Sequence, residues 1–359
     1  MPAIEGKTGM SNHIAGAIAW VEKGLVPDRV VRFGIRRLLK DRLTEMGAGD
    51  GAATARLTRN FIAAMHGAEL APLADKANEQ HYELPAGFFG EVLGSHRKYS
   101  SGFWPAADCT LDQAEAAALA LTCERAGLAD GHEVLELGCG WGSLSLWMAE
   151  RHPASRITAL SNSQGQRLHI EAEARRRGLR NLRVVTHDIN AFDTRERFDR
   201  VVSVEMFEHL RNWPQAFANV SRWLAPHGRF FMHVFTHREA PYAFVARDDS
   251  DWMSRHFFSG GMMPSDDLAP RCQDSLQVVA HWRWDGTHYQ RTAEAWLRNM
   301  DRRAQALRPL FATTYGAEAA IWWNRWRVFF MSVAELFGFA GGRQWGVSHY
   351  LFENAQRDA

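Results

Sequence analysis

Residues 133–146 read EVLELGCGWGSLSL: a short apolar strand pattern, glycines at 138, 140 and 142, then a helix-forming run. Alternating glycines at the end of a strand let the backbone pass close beneath a ligand, and the helix that follows presents free N–H groups to it. A dinucleotide site would show GxGxxG and a ribose-binding acid about 20 residues later. Here the third glycine comes too early, and the acid, Glu136, sits inside the strand. The stretch is therefore a strand, ligand turn and helix of another kind.

Working outward, the same strand pattern recurs as RITAL at 156–160, LRVVT at 182–186, DRVVSV at 199–204, GRFFMHVF at 228–235, LQVVAHW at 276–282 and GVSHYLF at 346–352. Segments 142–151, 164–178 and 210–224 have helical length and period. Seven strands alternating with helices predict an α/β fold, a doubly wound and mostly parallel sheet with helices on both faces. Before the sheet, 28–46 reads as an amphipathic helix capped by Asp28, and a second helical stretch covers 53–70. The expected organisation is a helical segment over 1–75 and a sheet domain over 76–359, with cap insertions at about 236–274 and 288–340.

Composition narrows the function. With 42 basic and 41 acidic residues the net charge is +1, so no overall field draws the chain to nucleic acid. The basic face of the first helix, Arg29, Arg32, Arg36, Arg37, Lys40 and Arg42, reads as a solvated face before it reads as a lipid-binding one. Four irregularly spaced cysteines, no secretory leader and no long apolar run point to a cytoplasmic protein. Scattered histidines form no metal-ligand spacing, so no metal is expected.

The second informative stretch, VVSVEMFEHL at 201–210, puts Glu205, Glu208 and His209 behind a buried strand, where carboxylates are costly unless they serve chemistry. The pattern ExGxGxG resembles the first motif of the S-adenosylmethionine-dependent methyltransferases. Further segments, KGLVPDRVVRFGIRRLL, NEQHYELP, KYS, DWMSRHFFSGGMMPS, HYQRTAEAWLRNMD and VFFMSVAELFG, are similar to the coclaurine N-methyltransferases and, more loosely, to the cyclopropane fatty-acid synthases. The resemblance implies a class I, Rossmann-like methyltransferase whose cofactor is S-adenosylmethionine. Its cofactor contacts map to Tyr99 and Ser100, to Glu136, Gly138, Gly140 and Gly142, and to Asp188 and Ile189 after the third strand. The second strand lacks the usual ribose-binding acid and offers Ser161, Asn162 and Gln166 instead.

By the same resemblance Glu205, Glu208 and His209 lie beside the transferring methyl. Glu208 is expected to hold an ammonium, His209 to take its proton, and Glu205 to support the cofactor pocket. The cyclopropane synthases hold a bicarbonate with a cysteine, a glutamate, a histidine and a tyrosine, matched here by Ser101, Glu208, His233 and Tyr289. The cysteine is missing. Trp252, Phe257, Phe258, Trp322, Trp326 and Phe329 are candidates to box a cationic or aryl acceptor, with Phe235 a further substrate-pocket candidate. The expected partner is a small-molecule acceptor, an amine before an unsaturated acyl chain or a thiol. Nucleic acid is not expected, membrane contact is not favoured, and a homodimer is left open. A ligand-binding protein on this scaffold would have lost Gly140, Glu208 or His209, and all three are present.

Overall fold

The computed structural model describes residues 16–72, 84–246 and 251–355. All seven expected strands form: β1 Glu133–Leu137, β2 Arg156–Ser161, β3 Leu182–Thr186, β4 Phe198–Val204, β5 Leu224–His237, β6 Leu276–Asp285 and β7 Trp345–Asn354. They make one sheet in the order β3-β2-β1-β4-β5-β7-β6. Strands β1 to β5 pair in parallel, and β7 runs antiparallel between β5 and β6. Val134, Leu135, Val201 and Val202 in the central strands are fully buried, as a parallel sheet covered on both faces requires.

After a helical stretch over 16–22 come helices α1 Asp28–Glu45, α2 Gly51–His66, α3 Ala86–Val92 and α4 Leu111–Arg125. Helices α5 Ser143–Arg151, α6 Gln164–Arg176 and α7 Trp213–Trp223 are the three crossovers expected from the sequence. The insertion after β5 holds a two-stranded hairpin, Tyr242–Ala243 with Met262–Met263, and the short α8 Trp252–His256. The insertion after β6 holds α9 Thr287–Arg302, α10 Ala304–Tyr315 and α11 Ala319–Gly338. Both caps leave the sheet above the carboxyl ends of its strands. That is also where the chain, having laid β2 and β3 on one side of β1, crosses to lay β4 and β5 on the other, which opens a crevice.

Two expectations for α1 need correction. Its cap is Pro27, and Asp28 lies in the first turn because Arg327 of α11 draws its carboxylate into a two-point ion pair at 2.8 and 3.1 Å. Nor is the basic face simply solvated: Arg32 pairs with Glu294 and Glu335, and Arg36 with Glu335. These bridges fasten α1 to the cap helices α9 and α11, and Val31 joins their aromatic core. The boundary expected at 75 lies outside the described residues, as do 78–83 of NEQHYELP and the first 15 residues.

Candidate active site

The crevice is a cleft of about 1140 Å³, its open mouth included, walled by the loops after β1, β2, β3 and β4 and by residues 97–100. The three glycines of the quoted stretch all have positive φ but do different work. A Cβ on Gly138 (φ +77°) would sit 2.6 Å from Met206, and one on Gly142 (φ +80°) 2.6 Å from Ile170. Gly138 thus admits the EMFEH segment and Gly142 admits α6. A Cβ on Gly140 (φ +51°) would meet nothing within 4 Å, because that position faces the open cleft.

Of the expected cofactor contacts, Tyr99, Ser100, Glu136, Gly138, Gly140, Ser161, Asn162, Gln166 and Ile189 line the cleft. Glu136 is buried and accepts from the Ser145 hydroxyl; burial pushes its carboxyl up to about 7. Ser161 Oγ donates to Gln166 Oε1 at 2.6 Å, which leaves the buried Gln166 Nε2 with no hydrogen-bond partner among the described residues. Two positions differ from expectation. Gly142 caps α5 and is not on the wall. Asp188 is exposed and turned onto its own loop, where its Oδ1 accepts from the Asn190 backbone N–H at 2.9 Å.

The acids of VVSVEMFEHL separate. Glu205 leaves β4 in the left-handed region, φ +47°, a conformation a non-glycine residue adopts at a cost of about 1 kcal/mol or more. Its carboxylate gathers three donors: the Ser101 N–H at 2.9 Å, His233 Nε2 at 3.1 Å and the Tyr289 hydroxyl at 2.7 Å. Glu205 and His209 face the cleft, whereas Glu208 is fully buried behind it. Glu208 Oε1 accepts from the Phe235 N–H at 2.7 Å, and its Oε2 has no partner among the described residues. Burial raises both carboxyls. The neighbouring Glu205 charge raises Glu208 further, while Lys98 and the donors oppose the rise at Glu205. The environments therefore push the two apart, Glu208 furthest towards the neutral acid and Glu205, with its donors and Lys98, back towards the carboxylate. Burial lowers the His209 imidazole to about 4, so it is neutral at physiological pH.

On the acceptor side the structure joins some candidates and disperses others. Ser101, His233 and Tyr289 converge on Glu205, not on Glu208, and the Ser101 hydroxyl turns back to the Gly102 carbonyl. Phe257 stacks on Phe329 with ring centroids 4.5 Å apart and meets Trp326 edge-on, so these three form the core of the cap. Trp252 donates its indole N–H to Glu22. Phe235 is buried beside Phe258, whose ring also lies over His209.

Lys98 escaped the sequence reading although KYS was singled out. It is buried in the cleft wall and donates to Ser100 Oγ and the Ser101 carbonyl at 2.6 and 2.7 Å. Burial lowers its ammonium to about 8 against the pull of Glu205 and Glu115, so it remains charged at neutral pH. Arg125 and His349, behind His233, were also missed, because they lie far from any motif.

Sheet order, glycine turn and cleft together define a class I S-adenosylmethionine-dependent methyltransferase. More narrowly, the chain belongs to the mycolic acid cyclopropane synthetase family, whose sequence model matches residues 72–338. Among its relatives, (S)-coclaurine N-methyltransferase of Thalictrum flavum subsp. glaucum is 35% identical over 358 residues, covering 98% of this chain and 99% of the relative. The (S)-coclaurine N-methyltransferase of Papaver somniferum is 33% identical over 337 residues, 93% of this chain and 96% of the relative. The crystal structure of coclaurine N-methyltransferase bound to N-methylheliamine and S-adenosylhomocysteine superposes with a TM-score of 0.92 at 34% identity, covering 95% of this chain and 99% of that one. Among the described residues no helix is long and apolar enough to cross a membrane.

Proposed function

We propose that this enzyme methylates the nitrogen of a small amine. The observation that carries the reading is the convergence of Ser101 N–H, His233 and Tyr289 on the Glu205 carboxylate. By resemblance the positions of Ser101, where a cysteine is expected, Glu208, His233 and Tyr289 would hold a bicarbonate in a cyclopropane synthase. Here the protein's own carboxylate takes all three donors, so an anion is built in. N-methyltransferase relatives that match nearly the whole chain support the same choice.

The residues present fit the cofactor. Gly140 leaves space that any side chain would fill, Glu136 offers a carboxyl to its ammonium, and the free amide of Gln166 offers a donor to its ribose. Bound S-adenosylmethionine supplies an electrophilic methyl on sulfur. The nitrogen becomes cationic as it is methylated, and Glu205 is the fixed charge that stabilises it without reorganisation. His209, unprotonated, accepts the amine N–H and aims the lone pair. Glu208, protonated and tied to Phe235, holds the short helical turn Phe207–His209 against β5. This reading moves the acceptor-facing charge from Glu208, where the sequence placed it, to Glu205.

The test is to incubate the enzyme with S-adenosylmethionine carrying a trideuterated methyl and with separate polar and lipid extracts of its host, followed by mass spectrometry. When an amine nitrogen attacks, the N–C bond forms as the S–C bond to the methyl breaks and S-adenosylhomocysteine leaves; the product keeps all three deuterons and gives up only its own N–H proton, to water. Ring closure on an acyl chain must expel one deuteron. A polar amine product with full retention is expected; a lipid product lacking one deuteron would move the enzyme to the cyclopropane synthases.

A further inference from the structure

Behind Glu205 a buried row of hydrogen bonds crosses the antiparallel half of the sheet. His233 of β5 and His349 of β7 are register partners, both fully buried. His233 Nε2 meets Glu205 Oε1 at 3.1 Å, His349 Nε2 meets His233 Nδ1 at 2.9 Å, and Arg125 Nη1 meets His349 Nδ1 at 2.8 Å. Trp284 packs on both imidazoles and Phe231 on His349, which closes the row to water along its flanks. Arg125 comes from the last turn of α4, with its guanidinium over Trp282 and Trp284.

The chemistry of the first member fixes the direction of the whole row. A guanidinium only donates. His349 Nδ1 must therefore be a bare acceptor, and its proton is on Nε2. That proton is donated to His233 Nδ1, which must be bare in turn, so the His233 proton also lies on Nε2 and is delivered to Glu205. Burial and the charges of Arg125 and Lys98 hold His233 well below the usual imidazole range; at His349 the neighbouring His233 and His281 push the same way. With both rings neutral, no other pattern satisfies every contact.

We propose that Arg125 is a positioning residue for methyl transfer: through the fixed tautomers of His349 and His233 it keeps an N–H donor aimed at Glu205, and so keeps that carboxylate charged and oriented at the acceptor nitrogen. The proposal rests on reading Glu205 as the charge beside that nitrogen. The tautomers themselves do not depend on that reading. Without Arg125 the pair is free to reverse, and a bare His233 Nε2 facing Glu205 would repel the carboxylate or draw a proton onto it.

The experiment is ¹⁵N NMR of full-length enzyme labelled at histidine, recorded without cofactor or acceptor, with signals assigned through His233→Gln and His349→Gln. Both imidazoles should be neutral with the proton on Nε2. Arg125→Lys, still donor-only, should preserve this pattern and keep kcat within about threefold. Arg125→Glu, an acceptor, should move the His349 proton to Nδ1 and lower kcat about tenfold or more, while KM for S-adenosylmethionine stays within twofold. An Nδ1–H or charged imidazole in the wild-type enzyme would overturn the proposal, and that measurement requires no variant to fold. Unchanged tautomers and kcat in a folded Arg125→Glu protein would overturn it too. If the wild-type enzyme methylates no amine, the function reading fails separately, and the imidazole spectra alone judge the row.

Discussion

The cleft wall after β1, β2 and β3 and the layer of β5, β7 and cap residues behind Glu205 are built by different means. On the first side the backbone does the shaping: Gly140 leaves open space, Gly138 and Gly142 let Met206 and Ile170 pack close, and the loops after β1, β2 and β3 supply polar groups. On the second side the shaping is done by side chains on segments far apart in the sequence, with Ser101, His233 and Tyr289 meeting at Glu205 and His349 and Arg125 standing behind. A backbone site tolerates no added atom. A side-chain network tolerates atoms but not a change of donor into acceptor.

That contrast is broken most directly at Gly140. Gly140→Val fills the one glycine position open to the cleft, so S-adenosylmethionine affinity measured by calorimetry should fall by about a hundredfold or more, from steric exclusion. Thermal unfolding should show only the cost of a left-handed valine, roughly 1–2 kcal/mol. Retained affinity would mean that the cofactor does not pass over this turn.

The next effect separates the two acids. Glu205→Gln removes the fixed charge and presents an amide N–H to donors, so kcat should drop by about 10²–10³ with cofactor affinity within a few fold. Glu208→Gln replaces a carboxyl that already carries a proton and leaves an oxygen for the Phe235 N–H, so single-turnover rates should stay within about fivefold. If Glu208→Gln were the more damaging change, the assignment of charge to Glu205 would be reversed.

The same contrast explains what was legible in the sequence. Glycines at 138, 140 and 142 behind an apolar strand carry their meaning locally, and every strand predicted from its β-branched run forms. The acids of EMFEH were found, but the proposal gives them different roles, because the difference between their surroundings is set by Lys98, Ser101, His233 and Tyr289, brought together only by the fold. Aromatic spacing is harder to read for the opposite reason. Phe257, Trp326 and Phe329 pack on one another, and a cap core and an aromatic box have the same composition.

The smallest effect tests whether the backbone-made side also stores a cost. Glu136 is buried in β1 with one hydroxyl donor, and its carboxyl is raised from the usual 4.5 to about 7. An acid whose folded pKa lies above its unfolded one binds its proton more tightly in the fold. Its contribution is therefore fully present below about pH 4.5 and is lost as pH rises towards 7, by about 3 kcal/mol. Glu136→Gln keeps an acceptor for Ser145 and cannot ionise. The stability difference between mutant and wild type, from urea unfolding at pH 5 and pH 8, should grow with pH in the mutant's favour, while Glu115, raised to about 7 in both proteins, cancels. A flat difference would show that Glu136 is charged at little cost. A growing one, with weaker cofactor binding in the mutant, would show that this strand gives up stability at neutral pH to hold a carboxyl at the cleft.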